Sequence, residues 1–350
     1  MKKLLISLSA FALTATLAAC GEESTDTETL YVYNWGEYAD LETIEMFEEE
    51  FGVKVVYDLY DSNETMYQKL KAGSTNYDVA IPSDYMIEKM VKEDMLNELD
   101  YSKIPNAEYV DEALLGQPFD PETKYTVPYF YGTVGILYDT TKVKEPVTSW
   151  MTLWDEQYAG DIYMYDSQRD SLMVALKALG YSMNTQDASE LEEAKQLLID
   201  QGPLVYSYVT DEVIEGMIQS NAALAVVYSG DATYIMDENE DMAYAIPEEG
   251  SNVWTDAMVI PKTSENVDLA HEFINFMMRP DIAQMNSEYV MYSTPNTEAQ
   301  AALAEEEWTQ NIAYRPDLNA LNNMEAFLDP GEFVSEFDRI WTEVLAEIGN

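Results

Sequence analysis

The sequence predicts an α/β fold in which a mostly parallel sheet carries helices on both faces. From residue 30 to residue 92, apolar runs of strand length alternate with helical patterns in the order strand, helix, strand, helix, strand, helix. That alternation is typical of α/β proteins. The alternation of strands and helices recurs later, where a strand at 161–165 precedes a helical pattern and a strand at 222–228 follows one. With 350 residues and one cysteine, the chain can build a large core without disulfides.

The first strand and helix place three candidate ligand residues. The β-rich run 30–33 stops in a loop, and Asp40 then begins a helix whose apolar residues have helical spacing before Gly52 ends it. Those apolar residues are Leu41, Ile44, Phe47 and Phe51. The loop carries Trp35, Glu37 and Tyr38 at the carboxyl end of the strand, where open α/β sheets bind ligands. Local packing of the two rings beside a solvated Glu37 explains this loop about equally well on its own.

Two further strands follow the same rule. A strand at 53–60 leads to a helix that Ser62 or Asn63 caps and Gly73 ends. A short buried strand at 78–81 ends beside Ser83 and Tyr85, which therefore lie at a second strand end. An alternative role for Ser83 is the N-cap of the helix that follows.

The middle of the chain suggests a passage between two parts of the molecule. Residues 101–130 are rich in proline and irregular, and the extended, glycine-broken run 129–138 is a candidate crossing strand. Residues 252–261 form a second candidate crossing. The last hundred residues are mainly helical, with an interruption at 289–296.

The N-terminus predicts export and lipid anchoring. Two lysines precede an apolar run from Leu4 to Ala19, which is typical of a secretory signal, and the lone Cys20 follows. This end resembles the lipobox of bacterial lipoproteins, which implies cleavage before Cys20, its acylation and an extracytoplasmic location. The alternative is a secreted protein with a free thiol. Residues 1–19 are thus the predicted signal peptide, and the polar residues 20–28 a flexible tether.

The charge balance restricts the partners. The chain has 66 acidic and 18 basic residues, and its formal net charge is −48 at pH 7. Such a field repels nucleic acid and anionic lipid surfaces, so neither is an expected partner, whereas it attracts cations. Adaptation of the surface to a saline or alkaline exterior is the simpler explanation of the acidity, so charge alone does not identify a ligand.

Aromatic residues accompany carboxylates or hydroxyls at strand ends and breaks along the chain. The sets are Trp35/Glu37/Tyr38, Ser83/Tyr85, Tyr228/Asp231, Trp254/Asp256 and Tyr292. Each set alone is ordinary, because buried aromatics are common at strand ends. Five sets in consecutive loops favour a binding site, and aromatic faces beside carboxylates suit an organic cation.

Several stretches resemble the substrate-binding proteins of polyamine ABC importers, of the spermidine/putrescine-binding type. They are YNWGEYAD (33–40), YDLYDSNETMYQKLKAG (57–73), YDVAIPSDYMIEKM (77–90), VTSWMTLWDEQYAG (147–160), WTDAMVIP (254–261) and YSTPN (292–296). The resemblance extends from Leu30 to about Glu347. It implies the type II periplasmic-binding-protein fold, with a ligand cleft between two lobes joined by two crossover strands. The expected lobes are 29–135 with 257–303, and 136–256 with 304–350.

The resemblance also implies a function and a ligand set. The protein would bind spermidine or putrescine without a cofactor and deliver it to the permease subunits of an ABC transporter, tethered to the membrane only by its lipid anchor. The implied ligand residues are Trp35, Glu37, Tyr38, Ser83, Tyr85, Asp170, Tyr228, Trp254, Asp256 and Tyr292. Of these, Asp256 is the expected central anchor for an ammonium, and Asp170 and Glu37 are expected to bind other amines.

This chain departs from the family pattern at three places. Ser167 stands where some spermidine-selective relatives have a carboxylate, and Tyr228 replaces a common tryptophan. A glutamine that some relatives use near the C-terminus has no clear counterpart around 327–332. These departures leave the choice between spermidine and putrescine open.

Three alternatives remain at the level of sequence. Carboxylates among aromatics also occur in glycosidases. A Ser-His-Asp or Cys-His set is not expected, because the only histidine, His271, is expected to be a satisfied surface or helix residue and the only cysteine, Cys20, to be lipidated. The same fold could instead bind a cationic amino acid, a sugar or a metal, including calcium at an all-oxygen site. A sensor that reports the bound ligand to a receptor is the third alternative.

Overall fold

The first lobe is built on a three-stranded parallel sheet. The computed structural model describes residues 27–73, 75–318 and 321–349, so the predicted signal peptide and Cys20 lie outside the described residues. The chain begins with β1 (Thr29–Trp35), α1 (Leu41–Phe51), β2 (Lys54–Tyr60), α2 (Asn63–Ala72), β3 (Val79–Ala80) and α3 (Asp84–Lys92). The strand order is β2-β1-β3, with all neighbours parallel. The predicted alternation is confirmed, and its strand ends meet at one edge.

The predicted helix ends in this lobe are confirmed with one refinement. The Asp40 side chain accepts a hydrogen bond from the Glu42 N–H, and Gly52 ends α1 with φ 66°. Ser62 rather than Asn63 caps α2, through the N–H of Thr65. Ile44 and Phe47 are buried, whereas Leu41 is exposed at the start of α1 and does not contribute to its core face.

The second lobe is built on a mixed sheet. It contains β4 (Val127–Asp139), β5 (Ile162–Tyr165), α4 (Gln168–Ala178), α5 (Ala188–Gln201), β6 (Ser207–Val209), α6 (Glu212–Ile218), β7 (Leu224–Tyr228), α7 (Ser229–Glu238), β8 (Met242–Ala245) and β9 (Val253–Met258). The order is β6-β5-β7-β4-β8, and β9 also pairs with β4. Strands β6, β5 and β7 are parallel, whereas β4 is antiparallel to β7, β8 and β9. The parallel arrangement predicted from residues 30–92 therefore does not extend to this whole sheet, because β4 runs opposite to its neighbours.

Both predicted crossing segments connect the lobes. The first part of β4 pairs with β9, from Val127 opposite Met258 to Thr133 opposite Val253, and its second part pairs with β7 and β8. Beyond β9, Val259 bridges to Ala80 in the first lobe. Two extended segments thus run side by side between the lobes, as the sequence predicts.

The chain crosses a third time without forming a strand. After α8 (Val267–Met277), α9 (Pro280–Val290) and α10 (Thr297–Ala302), the Tyr314 hydroxyl lies 2.7 Å from the Ser287 hydroxyl in the first lobe. The chain then joins the second lobe, where the Glu325 N–H donates to the Ser251 carbonyl. The final helix α11 (Val334–Ile348) packs against α4 and α5.

His271 is a core residue of the first lobe. Its side chain is 2% exposed, with Nδ1 2.7 Å from the Val267 carbonyl and Nε2 accepting from the Asp100 N–H. These two bonds fix the ring with the proton on Nδ1. His271 is therefore the satisfied helix residue that the sequence suggests, but it is buried rather than at the surface.

Candidate functional site

Asp256 lies where the crossing strand β9 meets the loops of the first lobe. Its carboxylate accepts a 2.7 Å hydrogen bond from the Tyr38 hydroxyl, and its backbone bridges to Ser83. The residue is buried, and burial raises the pKa of its carboxyl to about 6, against the lowering effect of hydrogen bonds from Ser83 and Tyr38. A cation placed beside it would favour the charged form.

The first-lobe wall is held by hydrogen bonds between its own loops. The Trp35 indole donates to the Ile81 carbonyl at 3.0 Å, which fixes the ring beside the third strand. Asn63 donates to both the Ser83 and the Tyr85 hydroxyls, at 3.0 Å and 3.1 Å. Ser83 occupies the N-cap position of α3, but its side chain makes no capping hydrogen bond. Its hydroxyl instead accepts a hydrogen bond from Asn63 and donates one to Asp256, so the simple capping role is wrong.

Asp170 is the matching carboxylate of the second lobe. It lies in the first turn of α4 and is 4% exposed, and its Oδ2 accepts from Ser167 at 2.6 Å and from Tyr228 at 2.8 Å. Burial raises the pKa of this carboxyl. Among the residues that the structure describes, its Oδ1 has no hydrogen-bond partner. Ser167, the departure noted in the sequence, thus caps α4 and orients Asp170.

An aromatic lining connects the two carboxylates. The Tyr292 ring packs edge-on against Trp254 and Tyr38, with centroids 5.1 Å and 5.8 Å apart, and Trp254 packs against Tyr228 at 6.4 Å. The Trp254 Nε1 is buried and, within the described part of the chain, has no partner. Ring contacts thus connect Tyr38, Tyr228, Trp254 and Tyr292, whereas Trp35 packs against Tyr60 and Tyr85 against Arg169 in the first-lobe wall.

Two glycines allow the lining to pack this closely. A Cβ on Gly132 of β4 would overlap the Trp254 ring, and a Cβ on Gly230 of α7 would overlap the Tyr292 ring. Any larger residue at either position would displace the ring that it faces.

Asp231 is a third carboxylate, half-buried, which the sequence-based ligand set omits. It accepts hydrogen bonds from Tyr165 and Tyr292, both at 3.2 Å, and burial raises the pKa of its carboxyl to about 6. Asp231 follows Tyr228 in the first turn of α7, directly after strand β7. The strand-end pattern that singled out Tyr228/Asp231 was the available signal.

Glu37 and Arg169 differ from their expected surroundings. Glu37 is exposed in the loop after β1, with φ 52°, and its role as an amine ligand stays a prediction. Arg169 is adjacent to Asp170 in the sequence, but its guanidinium carbon lies 3.8 Å from the centre of the Tyr85 ring.

The chemistry of the arrangement is that of carboxylates beside aromatic faces. Residues 27–73, 75–318 and 321–349 contain no group of three or more His, Cys, Asp or Glu side chains placed to hold a metal ion. None of the helices in those ranges is long and apolar enough to span a membrane. Buried carboxylates separated by aromatic faces can pair with the charges of an elongated organic cation and cover its apolar segments.

Comparison with known proteins identifies the relatives of this chain. Residues 42–316 match the family model of bacterial extracellular solute-binding proteins. A spermidine/putrescine-binding periplasmic protein of Escherichia coli (strain K12) is 36% identical over 324 residues, which cover 92% of each chain.

Solved structures agree with this match. The spermidine/putrescine ABC transporter substrate-binding protein PotD of Streptococcus pneumoniae, in complex with calcium and HEPES, is 42% identical, with a TM-score of 0.83 over 92% of this chain and 100% of that one. The TpPotD lipoprotein of Treponema pallidum is 28% identical, with a TM-score of 0.81 over 91% of this chain and 99% of that one. The expectation of a two-lobed, type II periplasmic-binding-protein fold is confirmed.

Proposed function

Because the chain belongs to the bacterial extracellular solute-binding proteins, of the spermidine/putrescine-binding type, we propose that it captures a polyamine between its two lobes. The members of this family bind and transport solutes, and the chain is a solute-binding protein rather than an enzyme. The bound polyamine would pass to the membrane permease of an ABC importer.

The observation that carries the proposal is a set of three carboxylates, two buried and one half-buried, that are each hydrogen-bonded to tyrosines of the site. Asp170, Asp231 and Asp256 each accept hydrogen bonds from phenols, and no lysine or arginine forms an ion pair with them among the described residues. A buried carboxylate is costly unless a cation pairs with it. Spaced ammonium groups would supply those cations, and the methylene chain between them would lie against the rings.

The same contacts weigh against the other ligands that the sequence leaves open. An amino acid needs a cation for its carboxylate, usually an arginine. Arg169 is the arginine nearest to this set, and its guanidinium is already stacked on Tyr85. A metal would need ligating groups in one cluster, which the described residues do not contain.

The proposal includes the arrangement of the chain around the cleft. We propose that residues 29–135 and 257–303 form the first lobe and residues 136–256 and 304–350 the second, with the passage near Tyr314 still in contact with the first lobe. Acylation of Cys20 would hold the protein at the outer face of the membrane, and the lipoprotein from Treponema pallidum supports that assignment. Two acyl signals suffice for stable anchoring, whereas one chain gives marginal binding.

Calorimetric titration tests the function directly. The protein is titrated with spermidine, putrescine and arginine, each at low and high salt. We expect one-to-one binding of a polyamine that weakens as salt rises, and no heat from arginine. Binding of arginine at a strength equal to that of spermidine would contradict the ligand assignment. An uptake assay in cells that lack the protein then separates import from a sensing role.

A further inference from the structure

A second group of contacts joins the two lobes outside the three-carboxylate site. Glu88 and Lys92 lie one turn apart on α3 of the first lobe, and the Lys92 ammonium is 2.8 Å from the Glu88 carboxylate. Glu88 also accepts a 2.7 Å hydrogen bond from the N–H of Asp329. The Asp329 carboxylate in turn lies 3.5 Å from Lys92. These contacts bind α3 to the segment that precedes the last helix.

That segment is firmly attached to the second lobe. The buried Lys177 of α4 bonds to the Asn323 carbonyl at 2.8 Å and forms an ion pair with Glu325. Asn184 donates to the Ala326 carbonyl and accepts from the Leu328 N–H, at 2.8 Å and 2.9 Å. The contacts between α3 and Asp329 therefore span the two lobes.

Arg169 adds a contact of the same kind beside the ligand residues. It belongs to α4, yet its guanidinium covers the Tyr85 ring of the first lobe and lies 5.7 Å from the centre of the Phe327 ring. A guanidinium stacked on an aromatic ring is attracted by the ring quadrupole. Because Asp170 is the next residue on α4, this contact also sets the distance between Asp170 and the wall that carries Tyr85.

We propose that Glu88, Lys92, Arg169 and Asp329 form a latch that positions the two walls of the cleft and lengthens the residence time of the ligand. The inference rests on the proposed polyamine function and adds residues that hold the lobes rather than the ligand. Contacts that favour the closed arrangement add to ligand affinity, because the ligand also favours that arrangement. Their loss acts on dissociation more than on association.

Glu88 is the residue that best tests the latch. Its side chain is 19% exposed, and it accepts a charge-assisted hydrogen bond from a backbone N–H, which is stronger than a neutral one. Lys92 is half exposed, so its ion pairs contribute little. Glu93 offers a matched control, because its 2.8 Å ion pair with Lys71 lies entirely within the first lobe.

The experiment compares Glu88→Ala with Glu93→Ala in the full chain, solubilised in a neutral detergent. Stopped-flow tryptophan fluorescence measures spermidine dissociation and association, and hydrogen exchange measures the Asp329 amide without ligand. We expect Glu88→Ala to accelerate dissociation about three- to thirty-fold, with association changed less than about twofold. The Asp329 amide should exchange faster in that variant, and neither quantity should change in Glu93→Ala.

Failure of the latch is distinguishable from failure of the function. If the unaltered chain binds no polyamine, the proposed function is wrong. In that case hydrogen exchange still tests the latch, which is wrong if the Asp329 amide exchanges at the same rate in Glu88→Ala as in the unaltered chain. If the unaltered chain binds spermidine and Glu88→Ala has the same dissociation rate, the latch is wrong and the function stands. Equal acceleration in Glu93→Ala would indicate general loosening of the first lobe, which contradicts a specific contact between lobes.

Discussion

The Tyr38 hydroxyl donates a 2.7 Å hydrogen bond to Asp256, so a loop at the end of β1 holds a carboxylate on the crossing strand 218 positions later. This bond joins the first predicted ligand loop to the expected central anchor. It also places Asp256 against the first lobe while β9 continues toward the second. A cation bound to Asp256 would therefore lie where the two lobes meet.

Replacement of Asp256 should cost more ligand affinity than replacement of Tyr38. Asp256→Ala removes the negative charge that pairs with a buried ammonium, and we expect polyamine binding to weaken at least a hundredfold. Tyr38→Phe keeps the ring and removes one hydrogen bond, so a loss of about tenfold or less is expected. Calorimetry on both variants checks the order, and a larger loss in Tyr38→Phe would contradict the anchor role.

Asp256→Asn should stabilise the protein in the absence of ligand. The pKa of this carboxyl is raised to about 6, so its contribution to stability is present at low pH and is lost as the pH rises through 6. At pH 7.5 the neutral amide should increase the free energy of unfolding by about 1–3 kcal/mol, an advantage that shrinks near pH 4.5. Thermal unfolding at both pH values tests this, with Asp237→Asn on an exposed part of α7 as the control.

Polyamine affinity should fall as the pH drops below about 6. Asp231 and Asp256 both have pKa values raised to about 6, and only their charged forms pair with an ammonium. Each carboxyl should reduce affinity up to about tenfold per pH unit below that value. Titrations between pH 5 and pH 8 should also show proton release near pH 6, as buffer-dependent heats. A flat affinity across that range would exclude these two groups as ammonium partners.

Asp231→Asn should shift preference from spermidine toward putrescine. The three carboxylates Asp170, Asp231 and Asp256 match the three charges of spermidine, whereas putrescine has two, so loss of one carboxylate should affect spermidine more. We expect the ratio of the two affinities to change about tenfold or more. Competition between the two ligands measures this ratio directly. An equal loss for both ligands would place Asp231 beside an amine that they share.

Gly230→Ala should weaken binding without removing any ligand contact. The added Cβ would overlap the Tyr292 ring and move it away from Asp231 and Trp254. Overpacking of this kind typically costs 1–3 kcal/mol. We expect lower affinity and lower thermal stability together. Gly36→Ala is the control, because a Cβ at Gly36 meets no atom within 4 Å.

The sequence accounts for the local elements better than for the second sheet. Caps such as Asp40 and Gly52 act within one turn, so their residue types predict the ends of α1. The direction of β4 depends on pairing with strands 85 or more positions later, which no local pattern specifies. The third passage, near Tyr314, has no strand pattern at all and depends on side-chain contacts such as the one with Ser287.

The sequence predicts the part of the site in which aromatic residues follow the ends of strands. Asp170 was part of the expected set, but its orientation by Ser167 depends on a side-chain contact within the α4 cap. Asp231 is visible in the sequence beside Tyr228, yet its hydrogen-bond partners Tyr165 and Tyr292 approach from other elements. The stacking of Arg169 on Tyr85 joins positions 84 residues apart, so sequence proximity pointed to Asp170 instead.

Among the residues that the structure describes, Asp170 Oδ1 and Trp254 Nε1 have no hydrogen-bond partner, which has a consequence for competition at the permease. Closing the lobes around water alone would bury carboxylates without counter-charges, which is unfavourable. Under the proposed function, unloaded molecules would then compete weakly with loaded ones for the permease. The rate of uptake would follow the supply of polyamine outside the cell rather than the abundance of the binding protein.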